Sequence, residues 1–514
     1  MLLKHAVARA RWCTACVPAT KSAAARFASS TSRPSSLPHP VIDLTDVLDF
    51  PQEVKANIEQ RKFPLELSEV DKLREMEIEA IGLRKELQAA RERRNAASKA
   101  PKDDLDARKE GAEVKKLLKT LEPRLATLTQ SIQSLALQLP NSSHPHVPVG
   151  SEEHAKLVKT IGPDVSDPPP PAQPELDHLQ LSSPSNFAWT DFPSSSLTTG
   201  SSWPLLTNEA ALLELALTNY AMSIALRHGF TPVLTPDVVR SDVSERCGFR
   251  PRDGDAQQTY FLSDGESTSS LCLAGTAEIP LVAMSAAQTF DEKHLPLKYV
   301  ALGRAFRAEA GARGADSRGL YRVHQFSKVE MVVVCAEDES DRLLEDLRQI
   351  QEEILGGLGL SLRVLDMPTE ELGASAHRKY DIEGWMPGRG KWGELSSASN
   401  CTDYQARRLG IRYRPTLRSP TARPPLETLD LPTPAALEAT ANYPSRFAAP
   451  HAGAPKLAYA HTLNGTAAAI PRLIVALLEN GAVLREGTGQ VERVRLPNVL
   501  RPFWLGTFER IQWV

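Results

Sequence analysis

The densest chemistry in the chain lies between Phe306 and Met331. That stretch holds Arg307, Arg313, Arg318 and Arg322, Lys328, Glu309 and Glu330, and the aromatics Phe306, Tyr321 and Phe326. Its pattern predicts two strands joined by a loop rich in Gly, Ala, Asp and Ser. Charges at strand ends and around a loop are costly to bury without partners. Guanidinium groups suit phosphate, a phenylalanine suits the face of a flat base, and carboxylates suit amino groups. Together these residue types point to a nucleotide site with an amine-bearing second ligand. Singly they say less. Glu330 alone is more simply a paired strand carboxylate, Phe326 a core residue and Arg304 an ion-pair partner.

A scaffold must position this stretch. A helix is predicted from Asn208 through Ala211, Leu212, Leu215, Leu217, Tyr220, Ala221 and Ile224, running into a strand that ends at Pro236. Strand-like runs follow at residues 297–302, 321–326, 329–334, 362–365 and 393–399, with a helix over 339–355. A strand–turn–helix at 461–480 closes the set. Strands with few intervening helices predict an α+β domain, an antiparallel sheet flanked by helices.

Ahead of it lies a long helical region. Val114, Leu118, Leu121, Leu125, Leu128, Ile132, Leu135 and Leu139 keep a strict alternation of four- and three-residue gaps, and Val70, Leu73, Met76, Ala80, Leu83, Leu87 and Ala90 a looser one. A breaker at Ala100-Pro101 separates them, which predicts an antiparallel coiled-coil hairpin. Pro123 is expected to kink its second helix or to start a new one. Arg91, Arg93, Arg94 and Lys99 make the tip basic, suiting either a phosphate backbone or plain solvent.

The bulk numbers exclude several classes. The 514 residues are 41% apolar and 24% charged with a net charge of −3, so no global basic field marks a nucleic-acid binder. No apolar run reaches the roughly 18–20 residues of a membrane span. Six scattered cysteines make no disulfide framework, and Cys13 and Cys16 have no second pair with which to hold zinc. The first 42 residues carry six Lys/Arg and no acid, which fits a mitochondrial transit peptide. Nine prolines in residues 415–455 predict a surface insertion. The expected organisation is a leader over 1–40, the coiled-coil arm over 41–150 and one large domain over 151–514.

The three elements at 208–236, 306–331 and 461–480 resemble, in order, the signature motifs of class II aminoacyl-tRNA synthetases. Further segments narrow the match: Thr276-Ala277-Glu278, Arg307-Ala308-Glu309, Gly319-Leu320-Tyr321-Arg322-Val323-His324-Gln325-Phe326, Lys328-Val329-Glu330-Met331, Glu394-Leu395-Ser396-Ser397, Tyr404-Gln405-Ala406-Arg407-Arg408 and Leu463-Asn464-Gly465-Thr466. With the arm, they are similar to the seryl-tRNA synthetase family, and the leader to its mitochondrial members.

The resemblance implies a ligase that joins L-serine to tRNA(Ser) with ATP and Mg²⁺, working as a homodimer in the mitochondrial matrix, with no membrane role. It implies Arg307 and Arg472 as catalytic groups. It places Arg307, Ala308, Glu309, Val323, His324, Gln325, Phe326, Glu394, Leu395, Ser396, Ser397 and Arg472 at ATP. It places Thr276, Ala277, Glu278, Arg307, Glu330, Asn464 and Thr466 at serine. Glu394 and Ser397 would hold Mg²⁺, and Arg91, Arg93, Arg94 and Lys99 would meet tRNA. Thr466 stands where many members have Ser, and Pro471 where Gly usually precedes the arginine; a proline suits a first helical turn. The alternative is a synthetase-derived paralogue that binds tRNA or protein without catalysis, against which the intact charged set argues.

Overall fold

The computed structural model describes residues 37–99, 101, 104–183, 186–249, 258–262, 271–309, 319–416, 457–507 and 509–514. The leader up to residue 36 and the proline-rich segment 417–456 lie outside these residues, as do Arg313 and Arg318.

Two long helices, α1 (Leu67–Lys99) and α2 (Leu105–Ala136), form the arm. The expected seam is the buried one. Near the tip Leu83, Leu87 and Ala90 pack against Val114, Leu118 and Leu121, and near the root Val70, Leu73 and Ala80 pack against Ile132 and Leu135. That pairing of start with finish makes the hairpin antiparallel. The Asp104 side chain starts α2 by accepting from the backbone N–H groups of Asp106 and Ala107 at 3.1 and 3.0 Å. The expectation of a fresh helix at Pro123 is corrected: α2 runs through it. Pro123 faces solvent, where its missing donor costs one hydrogen bond rather than a packed contact.

The root of the arm is tied down by polar side chains. Arg61, only 2% exposed, donates to the carbonyls of Asn141 at 3.0 Å, Ala376 at 3.1 Å and Gly373 at 2.5 Å. Asn141 Nδ2 donates to the carbonyls of Ser375 and Cys401, both at 2.9 Å.

The large domain is built on an eight-stranded sheet. Its strands are β1 (Lys156–Ile161), β2 (Thr231–Leu234), β3 (Leu297–Phe306), β4 (Gln325–Cys335), β5 (Leu362–Asp366), β6 (Arg378–Met386), β7 (Lys391–Asn400) and β8 (His461–Ala469). Their spatial order is β1-β5-β6-β7-β8-β4-β3-β2, antiparallel throughout except for the β2–β3 pair. One face is covered by α3 (Asn208–Arg227), α4 (Ser340–Gly356) and α5 (Ile470–Gly481). Val329, Met331 and Val333 of β4, Tyr380 and Ile382 of β6 and Leu463 of β8 meet those helices in the main core. Side chains alternate along a strand, so residues 328 and 330, 379, 381 and 383 fall on the other face. There Val332, Val334 and Ala301 are buried at one end by the segment around Ile279–Val282 and Ala406–Ile411, and the middle stays polar.

Three expectations are revised. Residues 321–326 and 329–334 are not two strands: β4 begins at Gln325, and Tyr321 and Val323, though apolar at alternate positions, bury themselves from a turn. The α3 stripe runs through Ala210, Leu213, Leu217, Ala221 and Ile224, whereas Leu215 is 46% exposed. Residues 150–204, rich in Pro and Ser, read as linker and irregular entry, yet they hold the edge strand β1, whose almost wholly exposed residues carry no apolar alternation.

Candidate active site

Four strands present polar side chains on the open face, and residues opposite one another across a pair share a face. Glu330 lies opposite Thr466, Asn464 opposite Ser399, Ser397 opposite Asp381 and Glu394 opposite Glu383. The β6–β7 register shifts between Ile382 and Glu383. This bulge puts Glu394 and Ser397, three apart in sequence, on one face. The side chains of Leu395 and Ser396 go the other way: Leu395 lies in the main core, and the Ser396 hydroxyl donates to the Thr466 carbonyl at 2.5 Å. Of these two expected ATP contacts only the backbone is left to face a ligand.

The segment Thr276–Glu278 lies over β3. Gly303 permits this, since a Cβ there would come within 2.8 Å of the Ala277 Cβ. The Thr276 hydroxyl donates to Glu330 Oε2 at 3.1 Å, and Lys328 pairs with the same carboxylate. Glu278 Oε1 accepts from Gln405 Nε2 at 2.6 Å and from Asn464 Nδ2 at 2.9 Å. Thr276, Ala277, Glu278, Glu330, Asn464 and Thr466 therefore form one cluster.

Beyond the end of β3, backbone bonds fix Arg307. Its N–H donates to the His324 carbonyl at 2.9 Å, and its own carbonyl meets His324 Nδ1 at 3.0 Å. The next N–H, of Ala308, donates to the Gln258 carbonyl at 3.0 Å. The Arg307 guanidinium lies 5.3 Å from the centroid of the Phe326 ring, a cation–π distance. Glu309 sits in the left-handed region at φ +48° and pairs with Arg322 at 3.1 Å. Val323 is buried beneath, and Gln325 pairs with Phe306 in the sheet. His324 holds this corner as a backbone partner, its ring tilted against Trp203 with centroids 5.4 Å apart. Arg304 is the ordinary ion-pair partner it was expected to be, 2.8 Å from Glu214.

Arg472 enters from the first turn of α5, just after Pro471. It donates to the Glu394 carbonyl at 2.9 Å and lies 3.3 Å from its carboxylate. Burial alone would raise the Glu394 carboxyl, yet Arg472, Lys379 and Arg307 outweigh it and hold it down at about 2. Glu278 is the opposite case. Burial and the neighbouring charge of Glu330 push it up to about 7. One carboxyl is held low by its cationic neighbours and the other is raised by burial, a separation typical of working sites.

The raised Glu278 has a stability consequence. The folded carboxyl binds its proton more tightly than the unfolded one, whose ordinary value is 4.5. Its contribution is full below that value and is lost as pH rises through about 7. Glu278→Gln should therefore flatten the fall in melting temperature of the ligand-free protein between about pH 5 and pH 8. An unchanged slope would remove Glu278 as its source.

Several side chains at this face escape a reading of motifs. Gln405 and Lys328 lie inside quoted motifs but carry no obvious role alone. Lys379, Asp381 and Glu383 occupy alternate positions of a strand whose intervening residues Tyr380 and Ile382 face the core. That i, i+2, i+4 run of charges is the signal that could have found them.

Residues 260–420 match the class II core domain of tRNA synthetases (G, H, P, S and T), and residues 41–143 match the seryl-tRNA synthetase N-terminal domain. The eight-stranded sheet with its open, charged face is thus the core of a class II synthetase. A serine–tRNA ligase of Treponema denticola is 37% identical over 472 residues, spanning 90% of this chain and 98% of that protein. The mitochondrial serine–tRNA ligase of Schizosaccharomyces pombe is 38% identical over 383 residues, spanning 74% and 69%. The crystal structure of seryl-tRNA synthetase from Pyrococcus horikoshii complexed with ATP superposes with a TM-score of 0.73 at 31% identity, covering 90% of this chain and 98% of that one. The chain belongs to the serine–tRNA ligase family. Among the described residues no helix is long and apolar enough to cross a membrane.

Proposed function

We propose that this chain activates L-serine with ATP and esterifies the 3′ end of tRNA(Ser) in the mitochondrial matrix. The observation that carries the reading is the single polar face on which the Glu278–Glu330–Thr466 cluster adjoins Arg307, Phe326, Glu394 and Arg472. The cluster offers carboxylates to an ammonium group and a ring of hydroxyl and amide groups to a serine side chain. The arginines and the aromatic ring offer phosphate and base contacts.

In the first step a serine carboxylate oxygen attacks the α-phosphorus of ATP, and pyrophosphate leaves. In the second a ribose hydroxyl of the terminal tRNA nucleotide attacks the serine carbonyl, and AMP leaves. Arg307, with Phe326 beside its guanidinium, neutralises charge on the α-phosphate. Catalysis is alignment plus electrostatic preorganisation, with no protein nucleophile. The donor set of Glu394 and Ser397, a carboxylate and a hydroxyl on one strand face, fits a hard cation such as Mg²⁺. Bound there, the ion would neutralise phosphate charge.

The homodimer rests on β2, an edge strand next to Pro236, whose Leu234 is 94% exposed. An apolar side chain left bare on a sheet edge favours a second copy. The mitochondrial address rests on the acid-free leader and on the Schizosaccharomyces pombe relative.

Protein lacking residues 1–40 should show serine-dependent ATP–pyrophosphate exchange; no exchange with serine and Mg²⁺ present would sink the proposal. Residues 41–150 we take as the arm that holds tRNA. Arg91 and Arg93 pair across the arm with Glu122 and Glu110, each at 3.0 Å. Arg94 and Lys99 form no ion pair with a described residue, so they are the freer charges for a phosphate backbone. Replacing both with Ala should leave exchange unchanged and weaken tRNA charging roughly tenfold at moderate salt. Equal charging by variant and parent would refute this assignment.

A further inference from the structure

The two strands that carry Ser397 and Thr466 part in the middle of the sheet. β7 and β8 pair from Asn400 with Leu463 as far as Ala398 with Gly465, and there the pairing ends. Just beyond, each strand bulges against its outer neighbour. The β8–β4 register skips Ala467, and the β7–β6 register skips Leu395. Ser397 and Thr466, the next residues along, are therefore not set against each other by the ladder that aligns side chains elsewhere on the sheet. A side chain from behind the sheet closes the gap. Gln351 on α4 is wholly buried, and its Nε2 donates to the Ser397 carbonyl at 2.8 Å and to the Thr466 carbonyl at 3.1 Å. Both partners are acceptors, so the amide nitrogen has to face them. Gly465 leaves room for it, since a Cβ there would stand 3.2 Å from Nε2.

The position is otherwise an apolar one. Leu347, Ile354 and Leu355, one turn away on either side along α4, lie in the main core. Gln351 Oε1 is buried among them with no hydrogen-bond partner among the described residues, which weakens the fold rather than strengthening it. An amide kept at a core position despite an unpaired oxygen breaks the local pattern, and such breaks collect at working sites.

We propose that Gln351 is a positioning residue for both halves of the site: from behind the sheet it sets the spacing of Ser397 and Thr466 where the strands no longer do. The inference rests on the reading that Thr466 meets serine and Ser397 the cation.

Gln351→Met removes both donated bonds while keeping an unbranched side chain of similar volume. It should lower kcat/KM for serine in the exchange assay roughly 10- to 100-fold, the scale of a small misplacement in a site. It should also weaken Mn²⁺ binding, read by electron paramagnetic resonance with a non-hydrolysable ATP analogue. Affinity for AMP should hold, because Arg307 and Phe326 hang on β3 and β4, away from the seam. Unchanged serine use, unchanged Mn²⁺ affinity or a parallel loss of AMP affinity overturns the inference. The deciding arm is the same substitution in a Thr466→Val background. If Gln351 acts by aiming Thr466, that background removes most of its effect on serine. An equal fold-loss in both backgrounds marks a general disturbance of the core, and the inference falls. Gln351→Leu stands in if Gln351→Met does not fold; if neither folds, Gln351 serves the core alone and the inference falls. If Thr466→Val itself leaves serine use unchanged, the serine pocket is misassigned and the inference fails with it.

Discussion

Arg307→Ala is expected to abolish serine-dependent ATP–pyrophosphate exchange, by roughly 10³-fold or more, with the fold intact. The magnitude follows from arginines that meet phosphoryl charge in the transition state. Fold retention follows from how the residue is held: its backbone is fixed by bonds to His324, while among the described residues its guanidinium makes only a long 3.5 Å bond to the Gly275 carbonyl and the contact with Phe326. Truncation therefore removes a ligand-facing charge and few structural contacts. Arg307→Lys should recover little, because an ammonium cannot reproduce a planar two-pronged donor. A native-like melting curve with normal exchange would overturn the role.

Glu330→Gln should lower kcat/KM for serine at least 100-fold while leaving the KM for ATP within a few-fold. Glu330 is 1% exposed and receives both the Thr276 hydroxyl and Lys328. An amide keeps the shape but loses the charge that would attract an ammonium group. A pocket built to hydrogen-bond a hydroxyl rejects analogues that lack it by leaving its own buried groups unpaired. The variant should accordingly discriminate less between serine and alanine in the exchange assay. The amide also strands Lys328, which destabilises a buried ion pair by about 3–5 kcal/mol. Glu330→Gln combined with Lys328→Met separates the effects: stability should recover and serine use should not. Recovery of serine use would show that Glu330 acts only as a counter-ion.

The arm was legible because a coiled coil writes its contacts into the sequence at a fixed period, and the buried set from Val114 to Leu135 keeps it. The charged strand–loop–strand was legible because Arg307, Glu309 and Glu330 are local in sequence. What was hidden depends on register between distant strands. Asp381 meets Ser397 only because β6 and β7 pair, and the bulge beside Glu383 decides that Glu394 and Ser397 face together while Leu395 and Ser396 turn away. No window of sequence contains that shift. Tyr321 and Val323 misled for the reverse reason: alternation is a strand signal, but a turn that packs inward can imitate it. Leu215 shows the limit of composition, since an apolar residue on a helix does not say which side of the helix is buried.

Where the root of the arm meets residues 373–376, the side-chain donors all lie on the arm. Arg61 and Asn141 give most of their hydrogen bonds to main-chain carbonyls, of Gly373, Ser375, Ala376 and Cys401 among others, and Asn141 gives one to the Thr402 hydroxyl at 3.0 Å. Every residue type carries such a carbonyl, so the side chains of the loop at 373–376 are free to drift across evolution without unlocking the joint, whereas the Thr402 hydroxyl is not. The two donors have no such freedom. A survey of this family should find the arm-side pair held fixed and the loop that faces it variable, an asymmetry of constraint across a single interface.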